Sequence, residues 1–325
     1  MKNPGSATRL NSKKPGLLKT LGQQKVLHLM VLPAVLYMLF IQYLPMTGLI
    51  IAFKDFRFNK GIWGSPWADM NGMQNFYDFF TDADLGQVIL NTLGISFLKI
   101  VGLTVVPIVF ALMLNEVRWT PFKRTVQSIS YFPYFISWAI LSLMVTTWLS
   151  PTMGFFNKIM MALGLLSDPS YLALGDPSQF WLLSAVVEVW KSSGYCAIIY
   201  LAAIAGIDLE MYEAAEIDGA GRFRRMLAIT LPSIRGLIMV LLILNIGGML
   251  SGGLTASNFQ SSYLLNNPMN QGASDILDTF SLRLGIGMGR YSYATAISLI
   301  QCVVSIVLLY GANRVSRWVT KESFF

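Results

Sequence analysis

Six long runs of apolar residues constrain the fold of this chain more than any other feature of its sequence. They cover residues 26–53, 88–114, 128–150, 181–206, 234–256 and 292–315. Each is at least as long as the ~20 residues that a helix needs to cross a bilayer. The runs are continuous rather than alternating, which favours helices over the strands of a membrane barrel. We therefore predict an all-α polytopic membrane protein with six transmembrane helices.

Charged residues are too few to cover a water-soluble surface. They make up 13% of the 325 residues, against roughly 25% in soluble domains, and the mean hydropathy is +0.55. This composition excludes an ordinary cytoplasmic enzyme and a disordered chain. Two cysteines provide no disulfide framework. A single histidine excludes a histidine-rich metal site, and we predict no metal ligand in the chain.

The distribution of basic residues predicts the orientation in the membrane. Of the 24 lysines and arginines, 16 lie in the terminal segments and the segments that follow the second and fourth runs, or at the run ends that border them. Six lie in the alternate segments, and Lys99 and Lys191 lie in the interior of runs. Because lysine and arginine are retained on the cytoplasmic side, we expect a cell-membrane protein with both termini in the cytoplasm.

The same pattern divides the chain into four parts. A basic cytoplasmic tail, a first transmembrane helix with an extracytoplasmic segment, a core of further helices and a cytoplasmic C-terminal tail cover 1–25, 26–87, 88–315 and 316–325. Three outer segments are long for simple turns, and we expect short helices at 54–87, 151–180 and 257–291. These segments either form a docking surface for an external partner or act as plain connectors.

No catalytic motif accompanies the apolar runs. The sequence contains neither the G-x-x-x-x-G-K-[ST] phosphate loop nor the G-x-S-x-G turn of a nucleophilic serine. A reaction driven by a nucleotide would therefore need another chain. We predict no catalytic residue in this one.

The segment at 207–235, between the fourth and fifth runs, is the most informative stretch of the sequence. Residues 209–217 favour a short helix whose acidic residues lie early, where they complement the helix dipole. A turn at Gly219 interrupts that helix, and a second helix rich in arginine follows. Such an ordered loop on the cytoplasmic face would offer a partner the small side chains of Ala214 and Ala215.

This loop resembles the signature loop of ATP-binding-cassette importer permeases. In that family an E-A-A triplet is followed after three residues by glycine, and after nine more by I-x-L-P. The matching residues are Glu213, Ala214, Ala215, Asp218, Gly219, Ile229, Leu231 and Pro232. Met226 departs from the family pattern, in which an aromatic residue is common, and this departure should alter packing inside the loop rather than docking.

Other stretches resemble carbohydrate permeases. They are IAFKDF at 51–56, GSPW at 64–67 and LNEVRWTPFKRTVQSISYFPYFISW at 114–138. These stretches are similar to those of permeases that import fragments of plant or algal polysaccharides, and the resemblance covers residues 26–315. The resemblance implies a type I importer fold, an oligosaccharide substrate and a subunit without enzymatic activity. It leaves open whether the oligosaccharide is acidic.

The resemblance also implies partners. They are a second, homologous permease subunit, an ABC ATPase dimer, an extracytoplasmic solute-binding protein and membrane lipid, with no nucleic acid. The ATPase would bind ATP and Mg²⁺, so that this chain binds no cofactor directly. The helix at 209–218 would be the coupling helix, with Glu213 facing a basic residue of the ATPase. Residues 88–315 would form the binding-protein-dependent transport permease core.

Polar side chains within the runs are candidates for the substrate pathway, because charges at bilayer depth are costly and usually face the bundle interior. The candidates are Glu188, Trp190, Lys191, Tyr195, Asn245 and Ser251. Glu188 and Lys191 are three residues apart on one helix face. The alternative for these two is therefore a structural pair that neutralises itself.

Two further features of the runs stay open. The glycines of the fifth run, Gly247, Gly248, Gly252 and Gly253, indicate either close helix packing or an unwound section that lines a cavity. Lys99 would either attract the carboxylate of an acidic sugar or extend its amine towards the membrane surface.

Other functions compete with oligosaccharide import. A permease for another solute, such as an amino acid or a peptide, would share the signature loop. An integral membrane enzyme of lipid or glycan metabolism would need clustered acidic or histidine groups. The one acidic cluster, Asp78, Asp82 and Asp84, has no histidine. A channel or a secondary transporter would not use the signature loop.

Overall fold

The structure is a computed structural model that describes residues 25–150, 154–164, 173–250 and 257–320. Over these residues the chain is almost wholly helical, and the β pairing within them is one isolated bridge between Lys54 and Trp67. The predicted all-α class is confirmed. The chain divides into two units, Met1–Ile50 and Ile51–Phe325.

The described part of the first unit is an apolar helical segment. It consists of α1 (Lys25–Tyr37), a π-helical turn (Met38–Tyr43) and α2 (Leu44–Met46), and a 3-10 helix (Thr47–Phe53) continues it across the unit boundary. Pro45 has no N–H to donate to the carbonyl four residues earlier, and the regular α pattern is lost just before it. The whole segment has the length and hydropathy of a membrane span.

The second unit combines long helices with the short helices that connect them. Its α-helices are α3 (Gly61–Gly64), α4 (Asp69–Gly72), α5 (Gln74–Thr81), α6 (Leu85–Asn115), α7 (Thr120–Tyr131), α8 (Trp138–Trp148), α9 (Phe155–Ala162), α10 (Pro177–Ala205), α11 (Leu209–Ile217), α12 (Arg222–Arg225), α13 (Leu231–Ser233), α14 (Arg235–Leu250), α15 (Ser257–Leu265), α16 (Gln271–Ser274), α17 (Leu277–Leu282) and α18 (Tyr291–Thr320). Single turns follow the 3-10 pattern at Phe132–Phe135 and Ala173–Gly175, and the π pattern at Met226–Thr230 and Arg283–Gly287. The predicted short helices are present in all three outer segments.

Four helical segments are long and apolar enough to cross a membrane singly, namely Lys25–Phe53, α6, α10 and α18. Two pairs meet the same criterion only together. Thr120–Phe135 and Trp138–Trp148 are bent by 100° relative to each other, and Arg222–Ser233 and Arg235–Gly248 by 60°. When each bent pair counts as one span, the described residues contain the six predicted spans.

The third run, predicted as one helix at 128–150, is instead broken. The 3-10 turn between α7 and α8 contains Pro133, which removes a donor and fixes the local φ. Ser137 is then extended, and its hydroxyl caps α8 by accepting from the N–H of Ile140. Since α8 has 11 residues, about half of what a crossing needs, it is long enough to cross a membrane only together with α7.

The long helices α6 and α10 pack closely because glycines of α6 lie against large side chains of α10. A Cβ at Gly94 would lie 2.5 Å from the ring of Trp181, and a Cβ at Gly102 would lie 2.5 Å from Val189. In membranes, small residues of this kind let helix backbones approach each other. The pair forms the frame on which the other elements of the second unit are placed.

The helices α14 and α18 also pack together, and this packing bears on the glycines of the fifth run. A Cβ at Gly247 would lie 3.0 Å from Leu309 on α18, which supports close packing at that glycine. The helix is regular through Leu250, so it is not unwound at Gly247 or Gly248. The other two glycines of this run lie outside the described residues.

Candidate functional site

The loop between α10 and α14 folds, as predicted, into a helix, a glycine turn and a second helix. The Asp208 carboxylate caps α11 by accepting from the N–H of Glu210 at 3.0 Å. At the other end Gly219 has φ +75°, a conformation that glycine adopts without strain. The N–H of Ala220 then returns to the carbonyl of Ala215 at 2.9 Å. Both ends of α11 are therefore sharply defined.

Side-chain contacts brace α11 against the segment that follows it. The Glu216 carboxylate accepts from Arg225 at 2.8 Å, and the hydroxyl oxygens of Tyr212 and Thr230 lie 2.8 Å apart. Ile234, which is 2% exposed, packs in a core cluster with residues of α6 and α10. The loop is thus a stiff body that is attached to two long spans.

The outward face of this loop combines one carboxylate with apolar side chains. Glu213 and Ala214 are exposed, whereas Ala215 is half-buried. Ile217 and Phe223 are 87% and 69% exposed. These two large apolar residues are exposed on the same loop as Glu213, and they were not among the residues predicted from the sequence.

The residues predicted to couple this loop to a partner fall into two groups. Glu213, Ala214, Asp218, Gly219 and Pro232 are exposed, while Ala215, Ile229 and Leu231 are half-buried. Leu231 and Met226 pack against the cluster shared with α6 and α10. The structure therefore separates residues that present a surface from residues that anchor it.

Between the long helices, Glu188 is paired with Lys99 and not with Lys191. The carboxylate lies 3.8 Å from the Lys99 ammonium and accepts a hydrogen bond from Ser257. Lys99 is completely buried and donates to Ser261 at 2.7 Å. These contacts join α6, α10 and α15. The predicted ion pair between Glu188 and Lys191 is therefore wrong. Lys99 does not extend its amine towards the membrane surface, and its partners are residues of the protein itself.

The side chain of Lys191 binds backbone carbonyls at the break between α7 and α8. Its ammonium donates to the carbonyls of Tyr134 and Ile136, both at 2.7 Å, and lies 5.4 Å from the centre of the Tyr134 ring. Carbonyls at the end of a helical turn lack partners within the helix, and a cation stabilises them. Lys191 and Glu188 therefore point to different neighbours although they share a helix.

A cavity of about 540 Å³ opens at this break, between α8, α10 and α15. Its lining consists of Tyr134, Phe135, Ile136, Ser137, Trp138, Ala139, Lys191, Phe259, Gln260, Tyr263 and Leu264. The rings of Phe259 and Tyr263 are stacked with centres 5.3 Å apart. Aromatic walls with a few polar groups are typical of small-molecule sites, and we call this space the break cavity.

The break cavity contains one of the six predicted pathway residues, Lys191. Tyr195 adjoins it, because its ring stacks on a lining tyrosine, Tyr134, with centres 4.1 Å apart. Trp190 lines a separate, almost wholly apolar cavity. Asn245 is half-buried on α14 and does not line the break cavity, and Ser251 lies outside the described residues.

The other ten lining residues, among them Tyr134, Gln260 and Tyr263, were not predicted as pathway residues. The signal for Tyr134 was the aromatic sequence YFPYF around Pro133, in which a proline interrupts an apolar run. Gln260 and Tyr263 belong to a segment predicted to be an outer connection. No local pattern indicates that this segment packs beside α8 and α10.

The acidic cluster of the sequence makes contacts within the protein. The Tyr293 hydroxyl donates to Asp82 at 2.8 Å, and Arg290 lies 3.9 Å from Asp78. Among the described residues, no group of three or more histidine, cysteine, aspartate or glutamate side chains is placed to hold a metal ion.

This chain is similar to known proteins over most of its length. Residues 104–321 match the family described as binding-protein-dependent transport system inner membrane component. Protein LplB of Bacillus subtilis (strain 168) is 40% identical over 95% of this chain and 93% of its own length. The polygalacturonan/rhamnogalacturonan transport system permease protein YteP of the same organism is 38% identical over 96% of this chain and 94% of its own length.

A solved structure is similar over almost the whole chain. It is the crystal structure of a bacterial alginate ABC transporter in complex with an alginate pentasaccharide-bound periplasmic protein. One of its chains is 34% identical, with a TM-score of 0.84, and the match covers 94% of this chain and 99% of that chain.

Proposed function

Because this chain belongs to the family of binding-protein-dependent transport system inner membrane components, it is a multi-pass ABC transporter permease, and we propose that it imports oligosaccharides. ATP hydrolysis on a separate subunit drives the import. Two relatives support a substrate derived from polysaccharides, since YteP is named for polygalacturonan and rhamnogalacturonan and the solved transporter imports the acidic polysaccharide alginate.

The break cavity carries this proposal. A sugar presents flat apolar faces that stack on aromatic rings, and hydroxyl groups around its rim that need donors and acceptors. The stacked rings of Phe259 and Tyr263 supply a surface for the apolar faces of the sugar. Gln260 and Ser137 supply hydrogen-bond donors and acceptors for its hydroxyl groups. The cavity lies at a discontinuous span, which is where transporters form binding sites at membrane depth.

The loop between α10 and α14 supplies the mechanical connection in this proposal. ATP-driven closure of subunits outside the membrane has to move spans through a stiff element. The α11 helix is braced by Arg225 and attached to α6 and α10, and it presents Glu213, Ile217 and Phe223 outwards. This surface docks on the ATPase, with Glu213 against a basic residue.

The proposed assembly contains a second permease subunit, an ATPase dimer and an extracytoplasmic solute-binding protein, within a lipid membrane. ATP and Mg²⁺ bind to the ATPase, and this chain binds no cofactor directly. The solved transporter supports the last partner, because it was crystallised with a periplasmic protein that holds the sugar. The division into four parts at 1–25, 26–87, 88–315 and 316–325 stays a prediction.

In the proposed orientation, both termini and the loop that contains α11 lie in the cytoplasm. A single cysteine at Arg222, in a chain whose two native cysteines are replaced, should stay unlabelled by an impermeant maleimide in intact cells and react after permeabilisation. A cysteine at Trp63, which is 73% exposed in an outer segment, is the matched control and should react in intact cells. The reverse pattern would invert the orientation.

The transport proposal is tested with the complete importer. Tyr134→Ala combined with Tyr263→Ala removes two aromatic walls of the break cavity, and uptake of labelled oligosaccharide should fall more than about tenfold at equal membrane abundance. Phe97→Ala is the matched control, since this exposed ring on α6 lines neither described cavity. Unchanged uptake in the double variant would place the pathway elsewhere.

A further inference from the structure

Lys191 is a cation of the long helix α10 that forms no close ion pair in the described part of the chain. No carboxylate there lies within 4.0 Å of its ammonium. Glu188, one helical turn earlier, is held by Lys99 and Ser257. The three charged groups of this region therefore sum to a net charge of +1, which is costly where water is excluded.

The ammonium also has unused capacity for hydrogen bonding. A lysine ammonium carries three N–H donors. Two of them are directed to the carbonyls of Tyr134 and Ile136, and no third acceptor lies within hydrogen-bond distance in the described residues. Because Lys191 lines the break cavity, the remaining donor and the net charge are presented to whatever occupies it.

From this geometry we propose that Lys191 binds a carboxylate of the transported sugar, so that the break cavity selects acidic oligosaccharides over neutral ones. The inference rests on the proposed function and adds the substrate class. A carboxylate brings the missing negative charge and accepts the third hydrogen bond, while Tyr134 beside it can stack on the same sugar ring. The two carbonyl contacts hold the ammonium in place before the sugar arrives.

Lys99 is the contrasting cation of the same depth. It is fully buried, paired with Glu188 and absent from the lining of the break cavity. A ligand in the cavity therefore cannot take the place of Glu188 as the partner of Lys99. The two lysines on neighbouring helices therefore differ in whether their charge faces the cavity. Arg124, an exposed cation of α7 that does not line the cavity, provides the control.

The test uses the complete importer in membrane vesicles with two matched probes. One probe is a short uronic-acid oligosaccharide, and the other is the same oligosaccharide with its carboxylates reduced to alcohols. The quantity measured is the ratio of their uptake rates in the wild type, in Lys191→Gln, in Lys191→Arg and in the control Arg124→Gln. A second cavity variant, Gln260→Glu, places a competing carboxylate near Lys191.

The wild type should prefer the acidic probe. Lys191→Gln and Gln260→Glu should each lower the ratio about tenfold or more, which corresponds to one lost charge-assisted hydrogen bond. Lys191→Arg should keep most of the preference, and Arg124→Gln should keep the wild-type ratio. If Lys191→Gln does not accumulate in the membrane, Gln260→Glu decides.

Different outcomes would overturn different statements. A wild type that imports the neutral probe as well as the acidic one overturns the selectivity and leaves oligosaccharide import intact. An equal loss of both probes in Lys191→Gln and an unchanged ratio in Gln260→Glu would make Lys191 a structural support of the break only. Uptake of neither probe by the wild type, with its binding protein loaded, would contradict the proposed function itself.

Discussion

Two ion pairs in this protein consist of similar groups in opposite surroundings. Lys99 and Glu188 lie between long helices, with side chains 0% and 5% exposed and a separation of 3.8 Å. Arg225 and Glu216 lie 2.8 Å apart on the loop between α10 and α14, the proposed coupling loop, with side chains 19% and 72% exposed. The buried pair should have the stronger electrostatic interaction although its charges are farther apart. Water screens the charges of the loop pair and cannot reach those of the buried pair.

The two ion pairs support different parts of the molecule. The buried pair connects α6, α10 and α15, so it sets where the α15 wall of the break cavity stands. The loop pair aligns α11 while leaving Glu213 and Ile217 exposed for a partner. One pair holds three helices together, and the other orients an exposed surface.

Breaking the buried pair should have the largest effect on folding. Lys99→Met leaves Glu188 charged and without its cation between the helices, which should destabilise the protein by about 3–5 kcal/mol and sharply reduce its amount in the membrane. Resistance of the purified protein to sodium dodecyl sulfate measures the loss of stability. The effect should be independent of the sugar and of the partner subunits.

The matched control for that prediction is the double variant Lys99→Met/Glu188→Leu. Replacing a buried pair by apolar groups of similar size is often nearly neutral, so most of the stability should return. A double variant as unstable as Lys99→Met alone would show that the serine contacts, rather than the charges, hold α15. The comparison between the two pairs would then lose its electrostatic basis.

The two regions also differ in how far the sequence predicts them. Signals for the coupling loop are local, since the cap at Asp208, the acidic first turn and Gly219 all lie within twelve residues. The buried pair joins residues 89 positions apart, Lys99 and Glu188. Helix spacing favours the nearer Lys191, and only the packing of α6 against α10 decides otherwise.

The broken third span illustrates the same limit. Its hydropathy predicts one helix, and Pro133 lies where a break could occur, but proline occurs in unbroken spans too. Here Pro107 lies inside α6 and Pro33 inside α1. What distinguishes Pro133 is Lys191, which binds the two carbonyls beside the break. That support comes from a helix more than fifty residues away.

Gly219→Leu should have the next largest effect, and the effect should appear in coupling. A leucine at φ +75° would cost about 1–2 kcal/mol locally and would distort the end of α11. The spans should insert normally, while ATP hydrolysis should no longer respond to loaded binding protein and uptake should be lost. Gly221→Ala is the control, because its φ is −65° and no atom lies near its added Cβ.

Glu213→Lys should have a smaller effect that is confined to docking. It sets a positive charge against the basic residue expected on the ATPase, and association of the ATPase should weaken about tenfold, most strongly at low salt. Glu210→Lys makes the same charge change on the same helix and should weaken association less. Equal effects of the two variants would show attraction by the net charge of the loop rather than a specific contact.

Glu216→Gln should have the smallest effect and sharpens the comparison most directly. It removes the charge of the loop pair, whose carboxylate is 72% exposed, and such pairs contribute between about 0 and 1 kcal/mol. Stability in detergent should therefore change little, and any change should vanish at high salt because screening already weakens the pair. Arg225→Gln should behave in the same way, and the double variant should be no different, since neither charge is left in a low-dielectric site. Stability measurements on the three variants at low and high salt test this. A loss of 3 kcal/mol or more in either single variant, with recovery in the double, would show that the loop pair behaves like the buried one and that exposure does not separate the two regions.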